Sequence, residues 1–191
     1  AVAAGAPCLM LGSHLDTVRD AGRYDGMLGV VSAIECVRAL ARADVRLPFA
    51  VEVVGFGDEE GVRYGSTLLG SRAVAGTFDP ALLDRKDAEG IAMRDALAAF
   101  GLDAARHRSA ARTSQEVLAY AELHIEQGPV LEAQGLPVGV VTAINGGNRF
   151  TIEIAGTAGH AGTVPMNLRR DALAAAAECV LATERIAASL P

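Results

Sequence analysis

Apolar runs and helical patterns alternate along the first part of the chain. Residues 8–11 form a short apolar run, and residues 49–56 are apolar and β-branched, as in buried strands. Residues 28–41 carry apolar side chains at helical spacing, and residues 67–75 have the pattern of a short second helix. The order strand, helix, strand, helix predicts an α/β fold with a parallel sheet and crossover helices.

The later part of the chain mixes predicted helices with predicted strands. Residues 77–114 are charged and contain two helix signals, so we expect a helical segment on the surface. Apolar or alternating runs predict three more strands, at residues 119–125, 138–144 and 149–155. Residues 168–188 are rich in alanine and have the periodicity of a long amphipathic helix.

A turn signal, Asn145-Gly-Gly-Asn148, is the best candidate for a domain boundary. We therefore predict a partial α/β catalytic domain over residues 1–145. The strand, loop and helix that follow make half of a small α+β domain, over residues 146–191. Both ends of the sequence resemble cut elements of secondary structure, so we expect a fragment of a longer protein.

Composition and charge narrow the class of protein and of partner. The 191 residues are 51% hydrophobic, which favours a packed globular body over disorder. The net charge of -6 argues against nucleic acid and anionic membrane surfaces as partners. The sequence has no apolar run of the roughly 18 residues that a membrane helix needs. The isolated cysteines Cys8, Cys36 and Cys179 are predicted to be buried free thiols in a reducing cytosol.

Ligands for a pair of divalent metal ions are concentrated in four short stretches. These are Gly12-Ser-His-Leu-Asp-Thr-Val18, Tyr24-Asp-Gly26, Asp58-Glu-Glu-Gly61 and Glu122-Leu-His-Ile-Glu-Gln-Gly-Pro129. They supply two imidazole nitrogens, from His14 and His124, and two carboxylates, from Asp25 and Glu60. Two ions held close together need such nitrogen and carboxylate ligands, including one carboxylate that can bridge. The stretches around residues 14 and 59 follow predicted strands, where parallel sheets bind ligands.

Each acidic residue has a distinct predicted role. Asp25 is the natural bridge between the ions, and Glu60 completes one coordination shell. Asp16 is expected behind His14, where its carboxylate would accept the second imidazole N–H and fix the tautomer. Glu59 stays free to take a proton from metal-activated water and to pass it to the leaving nitrogen. Alternatives remain open, because Asp25 could be an ordinary turn aspartate, and Glu59 and Glu60 a solvated acidic pair.

Two further residues are candidates for contact with substrate. His160 lies in Gly159-His-Ala-Gly-Thr-Val-Pro-Met166, where a loop histidine could stabilise the oxyanion of a tetrahedral intermediate. Gln127 is placed to hydrogen-bond substrate. The competing interpretations are that His160 caps a turn and that Gln127 is a structural amide at a strand end.

The four stretches resemble those of the allantoate amidohydrolases and N-carbamoyl-L-amino-acid hydrolases, a family of dinuclear metal amidohydrolases related to the aminoacylase-like metallopeptidases. The resemblance covers essentially the whole chain and includes Gly70-Ser-Arg72 and Arg170-Asp171. It implies a metal-binding α/β catalytic domain with a smaller α+β lid or dimerisation domain. It also implies two divalent ions, with zinc expected and manganese an alternative, and a cytoplasmic homodimer.

The same resemblance assigns roles to individual positions. It implies metal binding by His14, Asp25, Glu60 and His124, a general base at Glu59, and substrate contacts from Gln127 and His160. The fifth metal ligand of the family, a histidine near its carboxyl terminus, has no counterpart in this sequence. The downstream asparagine and arginine that hold the substrate carboxylate are also absent, so we expect the fragment alone to be incomplete.

Three hypotheses for function follow. The first is hydrolysis of allantoate, a small anionic ureido acid, to ureidoglycine, ammonia and carbon dioxide. Residues 18–26 and 160–166 favour it, since they look closer to allantoate amidohydrolases than to carbamoylases. The second is hydrolysis of N-carbamoyl-L-amino acids, or a β-ureidopropionase-like activity. The third is an inactive module that binds metal or mediates dimerisation.

Overall fold

A parallel three-stranded sheet organises the first part of the molecule. The structure, a computed structural model, describes residues 5–190. The strands are β1 (Cys8–His14), β2 (Ala50–Phe56) and β3 (Val117–Ala121), in the order β2-β1-β3 with β1 at the centre. Both pairings are parallel, which confirms the predicted α/β class. His14 pairs with Phe56 and Leu11 with Ala121, so the carboxyl ends of the three strands share one edge.

Five α-helices accompany the strands in the described part of the chain. They are α1 (Met27–Arg42), α2 (Leu69–Val74), α3 (Met93–Ala99), α4 (Val130–Ala133) and α5 (Ala172–Ser189). Short 3-10 helices span Pro80–Asp84, Ala104–Ala110 and Met166–Leu168. Among the residues that the structure describes, no helix is both long enough and apolar enough to cross a membrane.

The charged segment at residues 77–114 contributes to a small core as well as to the surface. Buried Leu83 and Met93 from this segment pack with Tyr64 and Leu69. Asp79 caps the first 3-10 helix, since its carboxylate accepts a hydrogen bond from the Ala81 amide, as the Asp-Pro signal predicts. The segment is helical, as predicted, but the expectation that it lies on the surface was wrong for Leu83 and Met93.

The chain divides into two compact units between Val138 and Gly139. The first unit, residues 5–138, contains the sheet and every residue that is buried in the described part of the chain. The second unit, residues 139–190, contains α5 and a loop region. The boundary predicted near residue 145 stays a prediction.

Three predicted strands differ from the structure. Strand β3 ends at Ala121, so residues 122–125 are irregular, and residues 138–144 and 149–155 are not strands. A strand needs a neighbouring strand to satisfy its backbone groups, and the described chain provides none for these segments. The last helix begins at Ala172 rather than near residue 168, because the Asp171 carboxylate caps it through the amides of Leu173 and Ala174.

The cysteines are free, but only one of them is buried. Cys8 lies in β1 and is buried, whereas Cys36 and Cys179 are exposed. The expected burial of these two thiols, on α1 and α5, was therefore wrong. Burial raises the pKa of the Cys8 thiol, and its hydrogen bond to Glu52 acts in the same direction.

Candidate metal centre

Two imidazoles and a carboxylate converge at the carboxyl edge of the sheet. His14 is the last residue of β1, Asp25 lies in the loop before α1, and His124 follows β3. The Nε2 atoms of His14 and His124 lie 3.1 Å apart, and Asp25 Oδ1 lies 3.6 Å and 3.2 Å from them, respectively. His14 and Asp25 are buried, and the His124 side chain is 28% exposed. Three of the four predicted metal ligands are therefore brought together.

The other nitrogen of each imidazole is occupied by a backbone carbonyl. His14 Nδ1 lies 2.6 Å from the Asp16 oxygen, and His124 Nδ1 lies 2.8 Å from the Ile125 oxygen. A carbonyl oxygen only accepts, so both Nδ1 atoms donate, and the tautomer with its single proton on Nδ1 has a free electron pair on Nε2. Asp25 Oδ1 is buried and has no hydrogen-bond partner among the described residues. Two imidazole nitrogens and a carboxylate oxygen that face one another at these distances fit a bound cation.

Glu59 and Glu60 follow β2 and approach the same histidine. One carboxylate oxygen of each residue and one nitrogen of His14 lie within 4.8 Å of one another. This second group shares His14 with the first, so the two groups overlap. Burial raises the pKa of the Glu59 carboxyl, an effect that the neighbouring His14 opposes and that Glu60 and Asp16 reinforce.

The carboxylate of Asp16 holds the turn that carries the two glutamates. Asp16 Oδ1 accepts a hydrogen bond from the Glu59 amide, and Oδ2 accepts one from the Glu60 amide, both at 3.0 Å. Asp58, directly before them, has a φ of 52°, a left-handed conformation that such paired anchoring maintains. We predicted that this carboxylate would accept the His14 N–H, but the backbone oxygen of Asp16 does so instead.

Gln127 reaches the centre through Asp25. Its Nε2 donates to Asp25 Oδ2 at 3.0 Å, which leaves Oδ1 of the same carboxylate facing the histidines. Gln127 has a φ of 56°, again in the left-handed region. The predicted strand at residues 119–125 ends as β3 at Ala121, three residues before His124, so irregular backbone carries His124 and Gln127.

His160 belongs to the second unit and is described there by itself. It is exposed, and its Nδ1 accepts a hydrogen bond of 3.0 Å from the Gly162 amide. Arg169 fixes the same loop, since its guanidinium donates to the carbonyl oxygens of Ala161 and Val164. The loop lines a pocket of about 560 Å³ together with Arg170 and Leu173. The tautomer that accepts this hydrogen bond at Nδ1 carries its proton on Nε2.

Comparison with known proteins places this geometry in a family. The model of peptidase family M20/M25/M40 matches residues 10–189. The chain belongs to this family. It is 49% identical to an N-carbamoyl-L-amino acid amidohydrolase of Geobacillus stearothermophilus, covering 94% of this chain and 44% of that protein. It is 50% identical to a probable allantoate deiminase of Oryza sativa subsp. japonica, covering 93% and 37%, respectively.

Solved structures with a similar fold belong to the same kind of protein as the relatives found by sequence. An amidase of the hydantoinase/carbamoylase family from Burkholderia multivorans matches with a TM-score of 0.76 at 30% identity, over 100% of this chain and 45% of that one. A second, from Burkholderia ambifaria, matches with a TM-score of 0.72 at 38% identity, over 96% and 44%. The chain thus spans less than half the length of these relatives, and the predicted family resemblance is confirmed.

Sequence reasoning missed a hydrogen-bonded group beside the ligands of this family member. Glu122 accepts hydrogen bonds from the hydroxyls of Ser13 and Tyr120, and Ser13 is completely buried. Burial raises the pKa of the Tyr120 phenol, and the hydrogen bond to Glu122 adds to this effect. Their positions in the sequence could have pointed to them, since Ser13 directly precedes the candidate ligand His14 and Glu122 lies two residues before the candidate ligand His124.

Proposed function

We propose that the full-length protein is a metal-dependent amidohydrolase that cleaves a ureido C–N bond. The observation that carries the proposal is the convergence of His14 Nε2, His124 Nε2 and the unpartnered Asp25 Oδ1. Relatives named as amidohydrolases and deiminases support the reaction class. The chain spans less than half of their length, so the activity is proposed for the whole protein and not for these residues alone.

His14, Asp25 and His124 would hold one divalent ion. Glu60 is proposed as a ligand of a second ion, and Asp25 as a ligand that the two ions would share. Such ions supply Lewis acidity and make hydroxide available near neutral pH. Zinc is the proposed metal, because imidazole and carboxylate ligands suit it, and manganese is the alternative. The family resemblance supports the number of ions and a further histidine ligand from elsewhere in the protein.

Glu59 is proposed as the group that moves the proton. Its carboxylate accepts a proton from the attacking water and later donates it to the nitrogen that leaves as the C–N bond breaks. The hydrogen bond from its amide to Asp16 holds its backbone at the carboxyl end of β2. Gln127 orients Asp25 and contacts substrate, and His160 donates from Nε2 to the developing oxyanion.

Allantoate is the proposed substrate, and N-carbamoyl-L-amino acids are the second candidate. Both substrates are candidates because the chain is about equally similar to two kinds of relative. It is 49% identical to an N-carbamoyl-L-amino acid amidohydrolase and 50% identical to a probable allantoate deiminase. The residues at 18–26 and 160–166 support allantoate, whose hydrolysis gives ureidoglycine, ammonia and carbon dioxide. We also propose a cytoplasmic homodimer, an assignment supported by the family resemblance.

The test is turnover by the full-length protein after removal and return of metal. The metal-free protein, prepared with a chelator, is assayed for ammonia release from allantoate and from N-carbamoyl-L-amino acids, then reloaded with zinc or manganese. We expect activity to vanish on stripping and to return on reloading, with allantoate as the better substrate. Activity that survives complete stripping would overturn the metal-dependent mechanism. If ammonia is released only from N-carbamoyl-L-amino acids, these compounds and not allantoate are the substrates. Metal binding without any turnover would indicate an inactive module.

A further inference from the structure

The ligand His124 lies in a segment that strand pairing does not hold. Strand β3 ends at Ala121, and residues 122–127 have irregular backbone. The opposing ligand, His14, is by contrast fixed at the end of the central strand. Because the two Nε2 atoms lie 3.1 Å apart, a small shift of the irregular segment would change the separation of the ligands.

The side chain of Glu122 connects this segment to the central strand. Its Oε1 accepts a hydrogen bond from Ser13 Oγ, and its Oε2 accepts one of 2.7 Å from the Tyr120 hydroxyl. Ser13 precedes His14 and is completely buried, so its hydroxyl has a fixed position. The Tyr120 oxygen also lies 3.2 Å from the Gly12 carbonyl oxygen, which keeps the phenol against β1. Hydrogen bonds to a carboxylate are among the stronger ones in proteins.

Helix α1 closes the same junction from the other side. A Cβ atom at Gly29 would lie 2.3 Å from the Leu123 oxygen and 2.6 Å from Ser13 Cβ. A side chain there would displace the backbone between Glu122 and His124. The close approach of helix, strand and segment is therefore an independent sign that this junction is built tightly.

We propose that Glu122 is a positioning residue for the metal centre. Its carboxylate ties Ser13, beside His14, to the segment that carries His124, and so sets the distance between the two imidazole nitrogens. The proposal rests on the metal centre of the proposed function. It adds a residue that touches neither ion nor substrate but acts through both histidines.

The test compares Glu122→Ala with a matched carboxylate in the full-length protein. Glu116→Ala is the control, because Glu116 accepts two hydrogen bonds of 2.8 Å from Thr113 just before β3, away from the ligands. Zinc affinity is measured by chelator competition, and the cobalt-substituted protein is examined by its d–d absorption. Hydrogen exchange of residues 122–125 is followed in the metal-free protein.

We expect Glu122→Ala to weaken zinc binding by about 10-fold or more, to alter the cobalt spectrum and to speed exchange at residues 122–125. Glu116→Ala should leave all three unchanged. Glu122→Gln, which keeps one acceptor oxygen, should restore part of the affinity, and Ser13→Ala should add little to Glu122→Ala.

The outcomes separate this role from the proposed function. Unchanged affinity and spectrum in Glu122→Ala would overturn the positioning role. A lower melting temperature with an unaltered cobalt spectrum would show that Glu122 has only a structural role, and would also overturn the positioning role. Wild-type protein that binds metal without hydrolysing any ureido substrate would overturn the function alone. Wild-type protein that binds no divalent ion would overturn both.

Discussion

The two units of the chain hold their candidate functional residues in different ways. In residues 5–138, His14 and Asp25 are buried. His14 Nδ1 hydrogen-bonds to the Asp16 carbonyl oxygen, and Asp25 Oδ2 accepts a hydrogen bond from Gln127. In residues 139–190, His160 is exposed, and its described contact is with the Gly162 amide two residues away. The first unit thus holds a preorganised candidate cation site, whereas the second presents a loop. The comparison predicts that substitutions at the buried His14 site affect metal binding and folding, while substitution of the exposed His160 affects catalysis and leaves metal binding unchanged.

The largest effect is expected at Glu59. Glu59→Gln keeps the size and the Asp16 hydrogen bond of the backbone but removes the proton acceptor. We expect kcat of the full-length enzyme to fall by about 10²–10⁴-fold with metal content unchanged. The measurement pairs steady-state kinetics with metal analysis, and Glu116→Gln serves as the control. Retention of most of the activity would show that another group moves the proton, and loss of metal would show that Glu59 is a ligand.

His160→Ala tests the second unit directly. If the imidazole stabilises the oxyanion, kcat should fall by about 10²-fold, because one oxyanion donor is lost. Metal affinity and melting temperature should stay at wild-type values, since His160 is exposed. Steady-state kinetics, chelator competition and calorimetry on one preparation measure kcat, metal affinity and melting temperature, respectively. A variant that loses metal or stability would break the distinction between the two units.

Gly26→Ala tests how tightly the first unit packs around His14. A Cβ atom there would lie 2.4 Å from His14 Nδ1, and the residue has a φ of 74°. Gly90→Ala is a matched control, since Gly90 has a φ of 83° and open space around its Cβ position. We expect Gly26→Ala to lower the unfolding free energy by about 1–3 kcal/mol more than the control, because only it overpacks the site. Zinc affinity should fall as well.

Equal losses in the two variants, measured by chemical denaturation, would mean that backbone strain alone accounts for the effect. The separate zinc measurement then shows whether His14 has moved. A Gly26→Ala protein with wild-type zinc affinity would contradict the view that the loop before α1 fixes this histidine.

Helices and the central strands could be predicted from sequence because their signals are local. The pattern at residues 28–41 predicted α1 nearly to its ends. The Asp79-Pro80 pair marked the start of the first 3-10 helix. The predicted strand at 149–155 failed because strand formation depends on a neighbour, which no local pattern specifies. Helix α5 satisfies its own backbone hydrogen bonds, and therefore forms although no residue in it is buried.

The candidate site shows the same division between residue identity and arrangement. Motif spacing predicted that His14, Asp25 and His124 would lie together, and they do. The two histidines meet because the parallel strands before them end at one edge. It could not show that the backbone oxygen of Asp16, rather than the carboxylate, meets His14. Nor could it reveal Glu122, since hydrogen bonds across more than a hundred residues depend on the folded register.

The smallest effect is expected from two helix caps, one in each unit. Asp171 caps α5, which has no buried residue, and Asp79 caps the 3-10 helix that contributes buried Leu83 to the core. Replacing either aspartate with alanine should cost about 1 kcal/mol in its helix. Asp79→Ala should lower the global unfolding free energy, because its helix packs against the core. Asp171→Ala should instead speed hydrogen exchange over residues 172–176, since α5 can fray without exposing buried side chains. Chemical denaturation and exchange on both variants separate the two, and a global loss from Asp171→Ala would mean that α5 is packed as firmly as the first unit.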